Sequence, residues 1–189
     1  MSALLKQVQQ ELRNNSTPEA KAAALKFVPH AQDVYGIRTP VLNLLAKKYK
    51  DGGFELVDEL WFSGAFEEQL LAGKMLRLVC RKDPEQAIKM VGRFSKKITN
   101  WAVCDTLGMQ SLKPVAKKMQ KEIFLMSERL SISKDPWQRR LSLVLIEIYT
   151  RDKNLHPEII KRIKSLEKDS EYYVKKAVDW IRRNLKKGK

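Results

Sequence analysis

The chain has 189 residues and carries 37 Lys and Arg against 22 Asp and Glu, which gives a formal net charge of +15. This length is enough for one domain with a sizeable buried core. The longest apolar run, LSLVLIEIY at 141–149, contains Glu147 and is too short to span a bilayer, so we predict no membrane-spanning segment. The first 15 residues lack an uninterrupted apolar stretch and a small-residue cleavage site, so we predict an amphipathic first helix in an intracellular protein.

Helix signals recur along the whole chain, and strand signals are almost absent. A capping residue followed by Pro indicates a helix start at Thr17–Pro18, Thr39–Pro40, Asp83–Pro84 and Asp135–Pro136. The apolar spacing predicts helices near 2–14, 18–29, 40–50, 54–61, 65–82, 84–93, 97–108, 112–130, 136–151, 156–167 and 170–187.

The four tryptophans indicate a weak internal repeat. Trp61, Trp101, Trp137 and Trp180 are separated by 40, 36 and 43 residues. This spacing matches two-helix repeats of the HEAT or armadillo kind. We therefore predict an all-α fold over residues 1–189 as a single domain: a right-handed superhelix (α-solenoid) of HEAT-like antiparallel helix pairs. An irregular helical bundle is the alternative.

The positive charge is unevenly distributed along the chain. Residues 51–69 contain six acids and no Lys or Arg, so all 37 basic residues lie outside this segment. Nucleic acid is the commonest partner of so basic a surface, because each neutralised phosphate releases counterions. An anionic membrane surface and a solvated basic face without a specific ligand are the alternatives.

Trp101 and Asp105, in NWAVCDTLG at 100–108, lie four residues apart in a predicted helix. At about 100° per residue the two side chains are about 40° apart in projection, so they can contact one ligand. Alternatively, Trp101 and Cys104 point into the core and Asp105 forms a local salt bridge.

Aromatic and basic residues alternate in two later segments. In DPWQRRLS, Arg140 at i+3 shares a helix face with Trp137, whereas Arg139 does not. In YYVKKAVDWIRRNLKK a second stripe follows steps of seven, four and three residues: Tyr173, Lys176, Trp180 and Arg183. Such a mixture suits phosphates and bases through charge-assisted hydrogen bonds and stacking. The alternative is that the Trp side chains pack inward while the cations are solvated.

Metal and cofactor chemistry lacks the residues it needs. The chain has two cysteines, Cys80 and Cys104, and two histidines, His30 and His156, and none of these residues cluster in sequence. They predict reduced thiols, no disulfide, no metal site and no cofactor. Phosphate-binding glycine loops, zinc-protease motifs and serine-nucleophile motifs are also absent from the sequence.

Five segments occur in an order that resembles one known family. GIRTP, ELWFSGAFEEQLLAG, NWAVCD, DPWQRRLSLV and YYVKKAVDWIRR are similar to the AlkD family of HEAT-like-repeat glycosylases for alkylated purines, from about residue 10 to 187. The resemblance implies that Trp101 and Trp180 face the lesion nucleotide, that Asp105 is the essential carboxylate, and that Arg140 grips the DNA backbone.

The resemblance implies a metal-independent DNA glycosylase of base excision repair that hydrolyses the N-glycosidic bond of N3-alkyladenine and N7-alkylguanine. We expect a cytoplasmic monomer that binds duplex DNA containing alkylated bases and is nucleoid-associated when bound. DNA contacts are expected from Arg140, Lys176, Arg183, Trp137 and Tyr173. The alternative is a non-catalytic HEAT-like module that binds nucleic acid or a protein, which the departures Ala102 and Asp179 from the family pattern favour.

Overall fold

The structure is a computed structural model, which describes residues 1–29 and 31–187. Within these residues the regular structure is helical throughout, with no β-strand. The helices are α1 Ala3–Asn14, α2 Pro18–Phe27, α3 Thr39–Lys48, α4 Gly53–Ser63, α5 Phe66–Val79, α6 Pro84–Phe94, α7 Trp101–Gln110, α8 Gln120–Ser131, α9 Pro136–Ile146, α10 His156–Leu166 and α11 Tyr172–Lys187. The all-α prediction is confirmed, while the right-handed superhelix and the single domain stay predictions.

The chain divides into two compact units, Met1–Pro114 and Val115–Lys189. Helices α1 to α7 belong to the first unit, and helices α8 to α11 belong to the second. Each unit is described separately.

Three of the four predicted capping residues cap a helix. Thr17 Oγ1 accepts from the Ala20 N–H at 3.2 Å, Asp83 Oδ1 from Gln86 at 2.9 Å, and Asp135 Oδ1 from Trp137 at 2.8 Å. The prediction for Thr39 was wrong: Thr39 is the first residue of α3, and the capping position is Arg38, which makes no side-chain capping bond.

Three predicted helix boundaries differ from the structure by four residues or more. The helix predicted at 97–108 begins at Trp101, because Asn100 Oδ1 accepts from the Val103 N–H at 3.0 Å and caps it there. The helix predicted at 112–130 is a short 3₁₀ turn at Lys113–Val115 followed by α8, which begins only at Gln120. The helix predicted at 136–151 becomes a 3₁₀ turn after Ile146.

The core of the first unit surrounds α5, which packs against α3, α4 and α7. The ring of Trp61 on α4 stacks on Phe94 of α6 at a centroid distance of 4.6 Å. Helices α5 and α7 approach closely at Gly73, where an added Cβ would lie 3.0 Å from the Thr106 methyl carbon. Ser111 Oγ donates to the Gly73 carbonyl at 3.1 Å and ties the end of α7 to α5.

Two carboxylates at the start of α5 are structural and lie in the interior. Glu67 and Glu68 are each only 1% exposed. Glu67 accepts from the backbone N–H groups of Tyr35, Gly36 and Ile37 at 2.9, 2.7 and 3.1 Å. Glu68 accepts from the Tyr35 hydroxyl at 2.6 Å, and burial together with this bond raises the pKa of Tyr35. The segment 51–69 therefore contributes two of its six acids to the interior.

The turn that Glu67 holds requires glycine at residue 36. Gly36 has φ of +95°, and an added Cβ would lie 2.6 Å from the Thr17 carbonyl oxygen. This turn belongs to the GIRTP segment. Two of the segments that carried the family resemblance are thus joined by one buried carboxylate.

In the second unit α9 packs against α8 and α11. Ser127 Oγ on α8 donates to the Ser142 carbonyl on α9 at 2.7 Å. Arg139 on α9 binds Asp169, just before α11, through Nε at 2.5 Å and Nη2 at 3.2 Å. The second unit is therefore held by ionic contacts as well as by its apolar core.

Candidate catalytic residues and nucleic-acid interface

Helix α7 presents Trp101 and Asp105 at the edge of its buried face. Val103, Cys104 and Leu107 are fully buried, whereas Trp101 and Asp105 are only partly buried. In the alternative, both Trp101 and Cys104 point into the core. Cys104 is buried as this alternative expects, whereas Trp101 is only partly buried. Trp101 and Asp105 remain accessible in part from the same side of the helix, as their i, i+4 spacing requires.

The backbone of α2 orients Trp101. The indole Nε1 donates to the Phe27 carbonyl at 3.2 Å, at the last residue of α2. The capping of α7 by Asn100 makes Trp101 the first helical residue, so its position relative to Asp105 is set by regular helix geometry.

Phe27 itself is a residue that the sequence analysis missed. Its ring is 69% exposed, beside a carbonyl that the Trp101 indole uses, and α2 has no buried residue. No local pattern marks Phe27, because its neighbour Trp101 lies 74 positions away in sequence.

In the second unit the two adjacent arginines of α9 diverge, as their spacing predicts. Arg139 binds Asp169, and the hydrogen bond that it donates to this carboxylate raises the pKa of Arg139. Arg140 is 6% exposed, and its Nη1 donates to the Tyr173 carbonyl at 2.6 Å. Arg140 therefore also holds the first turn of α11 in place.

Trp137, Arg140 and Tyr173 are brought together around that turn. The rings of Trp137 and Tyr173 have centroids 5.0 Å apart, and Tyr172 contacts Tyr173 edge to face at 5.1 Å. The Lys176 ammonium lies 5.3 Å from the Tyr172 ring centroid, a cation–π contact that the sequence analysis did not assign.

Helix α11 forms the predicted stripe beside its apolar face. Val174, Ala177, Val178, Ile181 and Leu185 are buried. At about 100° per residue the stripe covers an arc of about 80° next to that face. Its aromatic members are partly buried and its cations are exposed: Tyr173 and Trp180, then Lys176 and Arg183.

His156 at the start of α10 and the thiols of Cys80 and Cys104 are the described histidine and cysteines, whereas His30 lies outside the described residues. His156 Nε2 lies 2.8 Å from the Thr150 carbonyl oxygen. Cys80 and Cys104 are both fully buried, and burial raises the pKa of the Cys80 thiol. Within residues 1–29 and 31–187, no group of three or more His, Cys, Asp and Glu side chains is placed to hold a metal ion.

A family model described as "DNA alkylation repair enzyme" matches residues 8–189, nearly the whole chain. The chain belongs to this DNA alkylation repair enzyme family. The resemblance inferred from the five segments is confirmed. A comparison with curated proteins found no match.

Membership of the DNA alkylation repair family indicates that the site serves DNA repair. The match does not assign roles to single residues, so the roles given to Asp105, Trp101, Trp180 and Arg140 stay predictions. No helix of the described part of the chain is long and apolar enough to cross a membrane.

Proposed function

We propose that this chain is a DNA glycosylase that hydrolyses the N-glycosidic bond of cationic alkylated purines, N3-alkyladenine and N7-alkylguanine, in duplex DNA. The observation that carries the proposal is the placement of Asp105 beside Trp101 at the partly open edge of α7. A carboxylate and an indole at that edge suit a positively charged ligand, in a chain whose net charge of +15 suits DNA.

The reaction needs little catalysis of base departure from the protein, because alkylation at N3 or N7 already makes the purine a cation. The bond from C1′ to nitrogen breaks with both electrons passing to the purine, which departs as a neutral base. Positive charge develops on the sugar, and Asp105 stabilises it, as carboxylates do in glycoside hydrolysis. Water then adds to C1′, and its proton passes to Asp105 and on to solvent. No general acid or metal ion is required, so a chelator should not change the rate.

The two tryptophans supply selectivity for charged bases. An indole face near a cation contributes about 0.5–2 kcal/mol, and a neutral purine gains little of this. We expect recognition to act through the strained backbone around the lesion and not through a deep pocket for a flipped base.

DNA binding rests on residues of the second unit. Lys176 and Arg183 are exposed cations of the α11 stripe, and the rings of Trp137 and Tyr173 pack against each other at the first turn of α11. We propose that these residues contact the phosphate backbone together with Arg140, which also holds the Tyr173 carbonyl. Arg140→Ala should accordingly weaken binding before it affects chemistry.

The deciding experiment is release of base from methylated duplex DNA by the purified protein, compared with Asp105→Asn. The variant keeps the shape of the side chain and loses its charge, so base release should fall by orders of magnitude. DNA binding should be kept or strengthened, because one repulsion from phosphate has gone. Asp51→Asn removes an exposed carboxylate elsewhere and is the matched control.

The competing function is a non-catalytic HEAT-like module, which Asp179 beside Trp180 favours. Asp179 is exposed and adds negative charge next to a predicted lesion contact. Wild-type protein that binds methylated DNA but releases no base, under conditions in which another glycosylase does so, would establish this second function.

A further inference from the structure

The first unit contains a cationic cleft that the proposed chemistry does not use. The cleft has a volume of about 330 Å³ and lies between the later parts of α3, α5 and α7. Its polar lining consists of Asn43, Lys47, Lys74, Arg77 and Gln110. None of the described residues that line the cleft is acidic, so it presents three positive charges without a carboxylate.

Lys74 is the unusual member of this lining, because it is only 9% exposed. Its Nζ donates to Asn43 Oδ1 at 2.9 Å, which uses one of three ammonium protons. Among the described residues no carboxylate lies within ion-pair distance of Lys47, Lys74 or Arg77. Buried lysines are usually paired with an anion, so this arrangement has room for one.

The charge balance inside the cleft supports the same interpretation. Burial, together with the nearby charge of Arg77, lowers the pKa of Lys74. A bound anion would offset both effects, because it supplies the counter-charge that the lining lacks.

A cleft in the second unit differs in that its lining contains acidic as well as basic residues. It has a volume of about 430 Å³ and is lined by Glu128 and Glu158 as well as by Lys121, Lys161 and Arg162. Glu128 lies 4.0 Å from Lys161 and 3.9 Å from Arg162. That cleft supplies its own anions, whereas the cleft of the first unit does not.

The position of the cationic cleft on α7 indicates which anion it takes. Gln110 is the last residue of α7 and follows Asp105 by five positions. A helix rises 1.5 Å per residue, so the two residues are about 7.5 Å apart along the axis. At about 100° per residue the two side chains point about 140° apart, so the cleft does not face the lesion sugar itself; in a duplex held at Asp105, the anion available to the cleft is a neighbouring backbone phosphate.

We propose that Lys74, Lys47 and Arg77, with the side-chain amides of Asn43 and Gln110, bind a backbone phosphate of duplex DNA near the lesion. The inference rests on the proposed function in that DNA is the partner of the α7 edge. Lys74 supplies the buried charge, and exposed Lys47 and Arg77 admit a phosphodiester that continues into solvent on both sides.

The competing explanation is that these cations only compensate the negative ends of α3 and α5. Lys47 and Arg77 lie in the last turns of these helices, where positive charge is favourable. In that case their removal would lower thermal stability and leave DNA affinity equal to that of a charge-matched control.

The test measures binding of unmodified duplex DNA to the full chain over a series of salt concentrations, so it does not depend on base release. Lys74→Met and Arg77→Gln should each make the slope of log K against log salt shallower, by at most about 1 because both cations act on one phosphate. The control Lys89→Gln removes an exposed charge from α6 and should match the wild type. Arg77 is exposed, so its variant tests the proposal even if Lys74→Met folds poorly.

Slopes of both variants equal to that of Lys89→Gln would overturn the proposal. A second arm compares thermal melting in inorganic phosphate and in chloride at equal ionic strength. Phosphate that stabilises the wild type but not Lys74→Met, with unchanged DNA slopes, would assign the cleft to a free anion and overturn the DNA assignment. Failure of the wild type to release base would refute the glycosylase proposal alone.

Discussion

The two tryptophans assigned to the lesion are held in different ways. Trp101 donates its indole N–H to the Phe27 carbonyl, so its ring has a fixed partner in the backbone of α2. Trp180 is partly buried at the border between the apolar face of α11 and the exposed cations of the stripe. Truncation of Trp101 therefore removes a hydrogen bond as well as a ring.

Trp101→Ala and Trp180→Ala should each slow base release by about 2- to 30-fold, the range given by one lost cation–π contact of 0.5–2 kcal/mol. This is a much smaller loss than that expected of Asp105→Asn. Single-turnover rates on methylated duplex measure it, and thermal melting controls for the lost hydrogen bond of Trp101. A Trp180→Ala variant that melts normally yet is as slow as Asp105→Asn would contradict the assignment.

Glu67→Gln should destabilise the protein by about 2–4 kcal/mol. The carboxylate accepts three backbone N–H bonds, and the amide offers one acceptor oxygen and directs an NH₂ group at the remaining donors. Urea unfolding followed by circular dichroism measures the change. Glu55→Gln, at an exposed position of α4, should stay within about 0.5 kcal/mol of the wild type, and equal effects of the two substitutions would disprove the structural role.

At the level of the helices, the sequence predicted what depends on neighbouring residues. The caps at Thr17, Asp83 and Asp135 act over two or three positions, so a short pattern finds them. The role of Glu67 spans some 30 positions, which no local pattern contains. The same limit applies to the hydrogen bond between Trp101 and Phe27. For the candidate site, the i, i+4 pairing on α7 and the stripe on α11 were predictable, whereas their supporting contacts were not.

The ion pair between Arg139 and Asp169 should give the second unit an acid-sensitive contact. Burial acts to raise the pKa of Asp169, but hydrogen bonds from the Arg139 side chain and the Glu171 N–H outweigh it and lower the pKa. The unfolded chain therefore binds the proton more readily. The stabilisation is full above the unfolded pKa of Asp, about 3.9, and is lost as the pH falls through the lower pKa of the folded state.

Asp169→Asn should consequently reduce stability at pH 5–7, and its difference from the wild type should shrink below about pH 4. Urea unfolding of both proteins at a series of pH values measures this difference. Asp152→Asn changes an exposed aspartate whose side chain accepts from the nearby Asn154 N–H, and it is a suitable comparison. A gap between Asp169→Asn and the wild type that is constant from pH 7 to pH 3 would refute the role of the ionised pair.

For the molecule as a whole, net charge is the property that connects sequence to partner. All 37 basic residues lie outside segment 51–69, and two acids of that segment are withdrawn into the interior. Three basic residues are buried as well, Lys74, Arg140 and Arg162, so burial leaves the large positive excess of the surface nearly unchanged. Such a surface binds duplex DNA mainly by releasing counterions.

The affinity for duplex DNA should fall steeply as salt increases, and the double variant Lys176→Gln, Arg183→Gln should reduce the slope by about 2, one for each lost phosphate contact. Fluorescence anisotropy with a labelled duplex measures both slopes. The double variant Lys82→Gln, Lys89→Gln removes the same charge near and on α6 and should leave the slope close to that of the wild type. Affinity that does not change with salt would show that phosphate contacts do not drive binding.

The burial of the two thiols has a consequence for the conditions in which such a protein would work. Reagents that alkylate DNA bases also attack thiolates in water, and the thiolate is the reactive form of cysteine. Cys80 and Cys104 are fully buried, and the raised pKa of Cys80 keeps its sulfur protonated. Burial therefore protects both thiols of the folded protein from the electrophiles that create its proposed substrates. The protein would stay unmodified at its cysteines while alkylated bases form in DNA.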